Sequence, residues 1–344
     1  MSYEYERVAP ATGLRLHLNE NTAGCSPAVV AAIRSLTARD FAIYPDYDRA
    51  IASCAARLGV DPDAVLLTNG LDEGILAAAI VAFRESTSAA PLEGIVVVPA
   101  FDMYAACTDA SGGTVVEVPL GASFDFPLDA VLSASNPRTR LVWLTNPNNP
   151  TGRSIPRDAI VRIAHAASHA IVFVDEAYVD FGGRSLVNDP VLADLPHVVV
   201  GRTFAKAFGL AGIRAGAVVG DQRTIARLRR VVPPYSINAC AAAALPAAFA
   251  DTAHYEWYVR QAAESKGLLY GAFDRLGVEH WKSDANFVLA RFPGRGSAIA
   301  TALAERAVHV RDRSRDPGCE DCLRITAGVV DHTRRLLAAL EEVL

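Results

Sequence analysis

Short apolar runs alternate with longer segments of mixed polarity through the first two thirds of the chain. The runs are Val65–Thr68, Gly94–Val98, Thr114–Val118, Arg140–Thr145, Ile171–Val174, Val198–Val200 and Ala215–Val219. Their continuous Val, Ile and Leu content is that of strands covered on both faces. The segments between them carry helix signals. Ser26-Pro27 is an N-cap followed by proline, predicting a helix over Ala28–Leu36. Tyr44-Pro45-Asp46 reads as a loop, and Ile51–Leu58 as a helix ended by Gly59. Asn69-Gly70-Leu71-Asp72-Glu73 turns into a helix reaching about Arg84, and further helices are expected over Asp102–Ala110, Pro156–Ala167 and Gln222–Arg230. Strands that alternate with helices in this way predict an α/β fold, a mainly parallel sheet of the seven-stranded type with helices on both faces.

The rhythm breaks at Pro233-Pro234-Tyr235-Ser236. Beyond it come a long helical region over Ala239–Leu276, a strand at Phe287–Ala290 and a helix at Ser297–Ala307. Strands at His309–Arg311 and Leu323–Thr326 and a closing helix from Thr333 follow. The expected division is a large α/β domain over 41–235, with a smaller α+β domain built from 1–40 and 236–344.

Composition narrows the function. Among 344 residues, 51% are apolar, enough for a sizeable core, and the net charge of −5 comes without a basic patch, which argues against nucleic acid as a partner. The longest apolar stretch, Ala239–Ala250, is too short to span a membrane and is broken by Pro246. The first residues lack the apolar centre of a signal peptide, so a cytoplasmic protein acting on small molecules is expected. Six cysteines do not form a recognisable disulfide framework. Cys319-x-x-Cys322 lacks the second ligand pair of a zinc site and is expected to be two free thiols in a loop, with no metal.

Lysine usage changes the picture more. Of 33 basic residues only Lys206, Lys266 and Lys282 are lysines. A lysine kept against such a bias points to chemistry that a guanidinium, which cannot lose its proton, does not perform. Lys206 sits between Phe204-Ala205 and Ala207-Phe208, an apolar setting expected to lower its pKa as an imine-forming amine needs. Lys266 and Lys282 are expected on the surface. Other polar groups fall at strand ends, where open α/β sheets bind ligands. Gly70-Leu71-Asp72 opens a helix whose N-terminus suits a phosphate, Asn149 follows one strand, Asp175 ends the next, and Arg214 lies eight residues beyond Lys206. The chain has neither G-x-G-x-x-G after its first strand nor Gly-Lys-Ser/Thr. Lysine, carboxylate, phosphate cradle and arginine together meet the needs of pyridoxal phosphate.

The motifs Leu18-Asn-Glu-Asn21, Gly70-Leu-Asp-Glu73, Asn146-Pro-Asn-Asn-Pro-Thr-Gly152, Val174-Asp-Glu-Ala-Tyr178, Arg202-Thr-Phe-Ala-Lys206, Ala285-Asn-Phe-Val288 and Leu323-Arg-Ile-Thr326 occur in order over nearly the whole chain. In these the chain resembles the fold type I pyridoxal-phosphate aminotransferases, and among them the histidinol-phosphate aminotransferase family. The resemblance implies that Lys206 holds the cofactor as a Schiff base and shuttles the proton. It implies that Asp175 pairs with the ring nitrogen, that Tyr178 and Asn149 face the ring hydroxyl, and that Phe101 stacks on the ring. The amides of Leu71 and Asp72, with Arg214, would hold the phosphate. Tyr44 would reach that phosphate from the other subunit of a homodimer. Arg324, with Arg311 beside it, would anchor the substrate anion. The implied reaction is a ping-pong transamination between histidinol phosphate and 2-oxoglutarate, a step of histidine biosynthesis. An aromatic-amino-acid aminotransferase, or a decarboxylase of phosphothreonine-like substrates, would keep the same cofactor residues.

The sequence departs from the family at named places. Ala205 stands where serine is common, and Thr203 is the candidate replacement hydroxyl. Phe101 stands where tyrosine is frequent. The N-terminal segment lacks a Pro-Tyr-x-Pro-Gly motif, which leaves Tyr5, His17 and Asn21 as candidates for the pocket entrance.

Overall fold

The computed structural model describes residues 12–84 and 90–344, so Tyr5 lies outside the described residues. The first strand, β1 (Leu14–Arg15), is short. Then come the strands of the large sheet: β2 (Val65–Thr68), β3 (Glu93–Val98), β4 (Thr114–Pro119), β5 (Thr139–Thr145), β6 (Ile171–Asp175), β7 (Val198–Thr203) and β8 (Gly216–Gly220). Their spatial order is β2-β8-β7-β6-β5-β3-β4. Neighbours from β7 to β4 run parallel, and β8 is antiparallel to both β7 and β2. Apolar clusters cover each face. The parallel strands therefore point their carboxyl ends at one edge, and Thr145, Asp175 and Thr203 all end there.

Local signals explain the helices. Ser26 caps the helix Pro27–Arg34 by accepting the Ala28 amide. Gly59, in the left-handed conformation, ends the helix Asp48–Leu58. The helices Ala38–Ala42 and Leu128–Ala134 had no expected counterpart. Each is at most two turns, with no residue or only Val131 buried, so their apolar period is too short to read. The expected long helix over 239–276 is two, Ala239–Ala250 and Thr252–Leu276. Asp251 separates them, accepting the His254 amide as N-cap of the second.

The remaining strands are β9 (Glu279–His280), β10 (Phe287–Arg291), β11 (Val308–His309), β12 (Arg311–Asp312) and β13 (Cys322–Thr326). The order β12-β13-β10-β9 forms an antiparallel sheet, while β11 pairs with β1. The single strand expected over 309–311 is thus split between two sheets at Val310. Apolar packing runs across the expected 40/41 and 235/236 boundaries. Val29 and the helix Ala239–Ala250 share the core of the large sheet, as do Tyr258 and Ala262. Leu269 and Phe273, farther along the same helix, pack instead with Leu14, Leu16 and β10 and β13. One helix therefore carries both cores, because successive lengths of one apolar stripe pack against different sheets.

Candidate active site

Most of the expected residues converge at the carboxyl edge of the large sheet. A cavity of about 180 Å³ is lined by Leu71, Asp72, Phe101, Asn149, Asp175, Tyr178, Thr203, Lys206 and Arg214. It opens beside a larger one of about 1010 Å³, which Lys206, Asn149 and Tyr178 also line and which Arg311, Arg313 and Arg324 border.

Lys206 follows β7 in a loop tied down by its neighbours. Leu210 N–H donates to the Phe204 carbonyl, and Phe204 N–H to Ala215. The ammonium donates to the Leu18 carbonyl at 3.0 Å and lies 5.8 Å from the Tyr178 ring centre. Thr203 Oγ1 accepts the Ala205 amide.

Asp175 is buried at the end of β6. Its oxygens are held by neutral donors, the Tyr104 hydroxyl at 2.6 Å and the Ala177 amide at 2.8 Å. Burial pushes its pKa up to about 6, with the Tyr104 and Ala177 hydrogen bonds opposing the shift. A buried carboxylate held only by neutral donors fits a protonated ring nitrogen, since that cation would supply the missing charge. Its neighbour Glu176 is also buried and raised, to about 7, but it lies beside Arg202 and accepts from Ser185 and Leu186 inside the fold.

Arg214 lies beside the N-terminus of the helix Leu71–Arg84. Arg214 adopts a left-handed backbone, φ 58°, and its guanidinium pairs with Asp72 at 2.8 Å. It passes so close over Gly70 that an added Cβ would stand 2.3 Å from its Nη2. Gly70 also has φ +76°, the left-handed conformation that favours glycine. The N-terminus of the helix Leu71–Arg84 and a half-exposed guanidinium together suit a phosphate.

Arg324, on β13, is buried. It donates to Asn149 Oδ1 at 2.5 Å and to the His17 carbonyl at 2.7 Å. Burial lowers its pKa to about 10. Arg311 is its register partner across β12 and β13. Arg313 is buried, paired with Asp316 and turned toward the Ala100 carbonyl at 3.5 Å.

Several residues fall elsewhere than expected. Asn21 is not at the substrate cavity: its amide nitrogen donates to the Ala207 carbonyl in the lysine loop, and its amide oxygen accepts from the Ala23 N–H in its own turn. Asn19, two residues earlier, is the one that faces inward, donating to the Tyr178 hydroxyl at 3.1 Å. His17 contributes its backbone carbonyl rather than its ring. Tyr44 is 75% exposed, outside both cavities, and stacked on Tyr235 at 4.2 Å. Lys266 is not on the surface. It is buried and donates to the Phe181 and Ser283 carbonyls, and burial lowers its pKa. Cys319 and Cys322 are free thiols, buried against Trp281 and Leu289 rather than in an open loop. Tyr104 was within reach of sequence reasoning: it lies three residues beyond Phe101, in the first turn of the helix Met103–Ala110, and a buried tyrosine needs a partner for its hydroxyl.

A doubly covered α/β sheet with a lysine, an unpaired carboxylate and a phosphate cradle at one edge defines a fold type I pyridoxal-phosphate enzyme. The chain belongs to the aminotransferase class I and II family, whose model matches residues 11–340. It is 35% identical to a histidinol-phosphate aminotransferase of an Anaeromyxobacter species, covering 96% of this chain and 90% of that protein. It is 32% identical to the histidinol-phosphate aminotransferase of Cytophaga hutchinsonii, over 96% and 91%. The crystal structure of histidinol-phosphate aminotransferase from Sinorhizobium meliloti, in complex with pyridoxal-5'-phosphate, superposes with a TM-score of 0.84 at 27% identity, covering 96% of this chain and 90% of that one. The protein is therefore a pyridoxal-phosphate-dependent transaminase, and no helix among the described residues is long and apolar enough to cross a membrane.

Proposed function

We propose that the chain transfers an amino group between histidinol phosphate and 2-oxoglutarate in two half-reactions, as a cytoplasmic enzyme of histidine biosynthesis. The observation that carries this is the register pairing of Arg311 with buried Arg324 beside the larger cavity. Two guanidinium forks suit a phosphate dianion better than they suit a single carboxylate. Arg324 also serves the carboxylate of the amino donor when the substrates alternate.

When bound, the cofactor supplies an aldehyde for the incoming amine and a protonated ring that accepts electrons. The chain's own groups do the rest. Lys206 Nζ takes and returns the proton at the substrate carbon. Asp175 would hold negative charge for the ring nitrogen, and Phe101 would supply an apolar face for the ring. Tyr178 accepts from Asn19, which leaves its own proton to donate toward the ring hydroxyl. Leu71, Asp72 and Arg214 would hold the phosphate, and Thr203 would offer a hydroxyl in place of the missing serine hydroxyl at 205. The small domain closes the substrate end through Arg311 and Arg324.

The functional unit in this reading is a homodimer. Tyr44 and its neighbours Phe41, Ile43 and Tyr235 form an exposed apolar patch, which supports an interface that delivers Tyr44 to the partner's phosphate site. The test is to mix the cofactor-loaded protein separately with histidinol phosphate, phenylalanine and phosphothreonine and follow the cofactor absorbance and the product. A keto product from histidinol phosphate alone is expected. Preference for phenylalanine, or carbon dioxide released from phosphothreonine, overturns the substrate assignment.

A further inference from the structure

Tyr104 has no part in the mechanism above, yet it is among the most completely enclosed polar side chains near the cavity. It is 1% exposed and lies on the helix Met103–Ala110. Its ring stacks on Trp143 with centroids 5.1 Å apart and meets Phe101 edge-on at 5.8 Å. Trp143 is itself fixed by donating to Thr108 Oγ1. The hydroxyl donates to Asp175 Oδ2 at 2.6 Å and accepts from Thr145 Oγ1 at 3.1 Å. Thr145 and Asp175 are register partners at the ends of β5 and β6, so both side chains stand on the face that Tyr104 covers.

We propose that Tyr104 is a positioning residue for the cofactor ring, acting through Asp175. It aims the carboxylate and keeps it ionised opposite the ring nitrogen. Three features support this. The Thr145 hydroxyl occupies an acceptor site of Tyr104, so the phenolic proton is directed at Asp175. Burial, and then the nearby Asp175 charge, push the Tyr104 hydroxyl well above its ordinary value, so it stays a donor at every working pH. A hydrogen bond to the ionised form is what opposes the burial that would otherwise neutralise Asp175. Because Ala177 holds the other oxygen, the carboxylate is fixed at both ends.

This inference rests on the cofactor assignment, and its test separates the two. Tyr104→Phe keeps the ring on Trp143 and removes only the hydroxyl. The cofactor-free protein is titrated with pyridoxal phosphate and, separately, with the analogue whose ring nitrogen is replaced by carbon. Tyr104→Phe is expected to weaken binding of pyridoxal phosphate by about tenfold, the scale of one hydrogen bond to a charged group. Binding of the carbon analogue, which offers Asp175 no N–H, is expected to change less than twofold. Thr145→Val, which leaves the Tyr104 hydroxyl in place but undirected, should show the same selective loss at smaller size, and it serves equally should the phenylalanine variant fold poorly. Equal weakening of both ligands, or no weakening of either, overturns the proposal. A wild-type protein that binds neither ligand overturns the cofactor reading itself.

Discussion

At the cofactor end of the cavity, Asp175, Tyr104 and Thr145 come from one sheet and a helix laid against it, with sequence separations of 71 and 41 residues. At the anion end, Arg324 is held by Asn149 and the His17 carbonyl, 175 and 307 residues away and on opposite sides of the division between the cores. The first arrangement exists as soon as the large sheet is formed. The second exists only when the small sheet and the segment around β1 are docked on the large one. Cofactor capture should therefore survive damage to docking, whereas substrate capture should not.

The largest effect breaks the chemistry and leaves both ends standing. Lys206→Ala removes the amine that moves the proton, and turnover should fall by about 10⁴-fold or more, since positioned acid–base groups alone contribute up to about that factor. Steady-state kinetics, with the affinity for added cofactor measured beside them, checks this. Retained activity would remove the lysine from its role.

Arg324→Gln tests the anion end alone. It removes a buried charge that donates to Asn149 and to the His17 carbonyl, so kcat/KM for the phosphorylated amine should drop by about 100- to 1,000-fold, the range of a truncated buried charge contact. Cofactor affinity should stay within a few-fold. Comparable losses of both would mean that the two ends are built as one.

The cofactor end has its own pH signature. Asp175 is raised to about 6 by burial, so in the cofactor-free protein it takes a proton as pH falls through that value. A raised carboxyl stabilises the empty fold at low pH and loses that contribution as pH rises through about 6. Binding needs the ionised form. Affinity for pyridoxal phosphate should therefore decline by up to tenfold for each pH unit below about 6, and Asp175→Asn should flatten that slope. A slope unchanged in the variant would assign the titration to another group.

The same contrast explains what was legible in the sequence. Val65–Thr68 and its successors read as strands because burial on both faces leaves a run of apolar residues with no period to confuse. Their ends then located Asp175, Asn149 and Lys206 from the order of elements alone. The anion end was read less well. Arg313 was not singled out there, because nothing local reveals that Asp316 and the Ala100 carbonyl enclose it. Asn19 and Asn21 sit in one short motif, and only the left-handed turn of the backbone at Asn19, φ 55°, decides which amide faces Tyr178 and which faces Ala207. A positive φ at a residue other than glycine leaves no mark in composition or period.

Asn19 is also where the two ends meet, which makes its variants the finest probe of the contrast. Its amide group donates to Tyr178 at the cofactor and accepts from Thr326 on β13, and its carbonyl accepts from Asn286. Asn19→Gly keeps the left-handed backbone at no steric cost and removes the whole side chain, Cβ included. Asn19→Ala removes the amide group but keeps a Cβ at positive φ, a strain of about 1 kcal/mol that the glycine variant lacks. Both variants should lower kcat/KM a few-fold, because Tyr178 loses its donor. In urea unfolding, the alanine variant should be the less stable of the two by about 1 kcal/mol. Equal stability would mean that the turn at residue 19 is not held in the left-handed form, and that the link between the two ends rests on the Arg324 contacts alone.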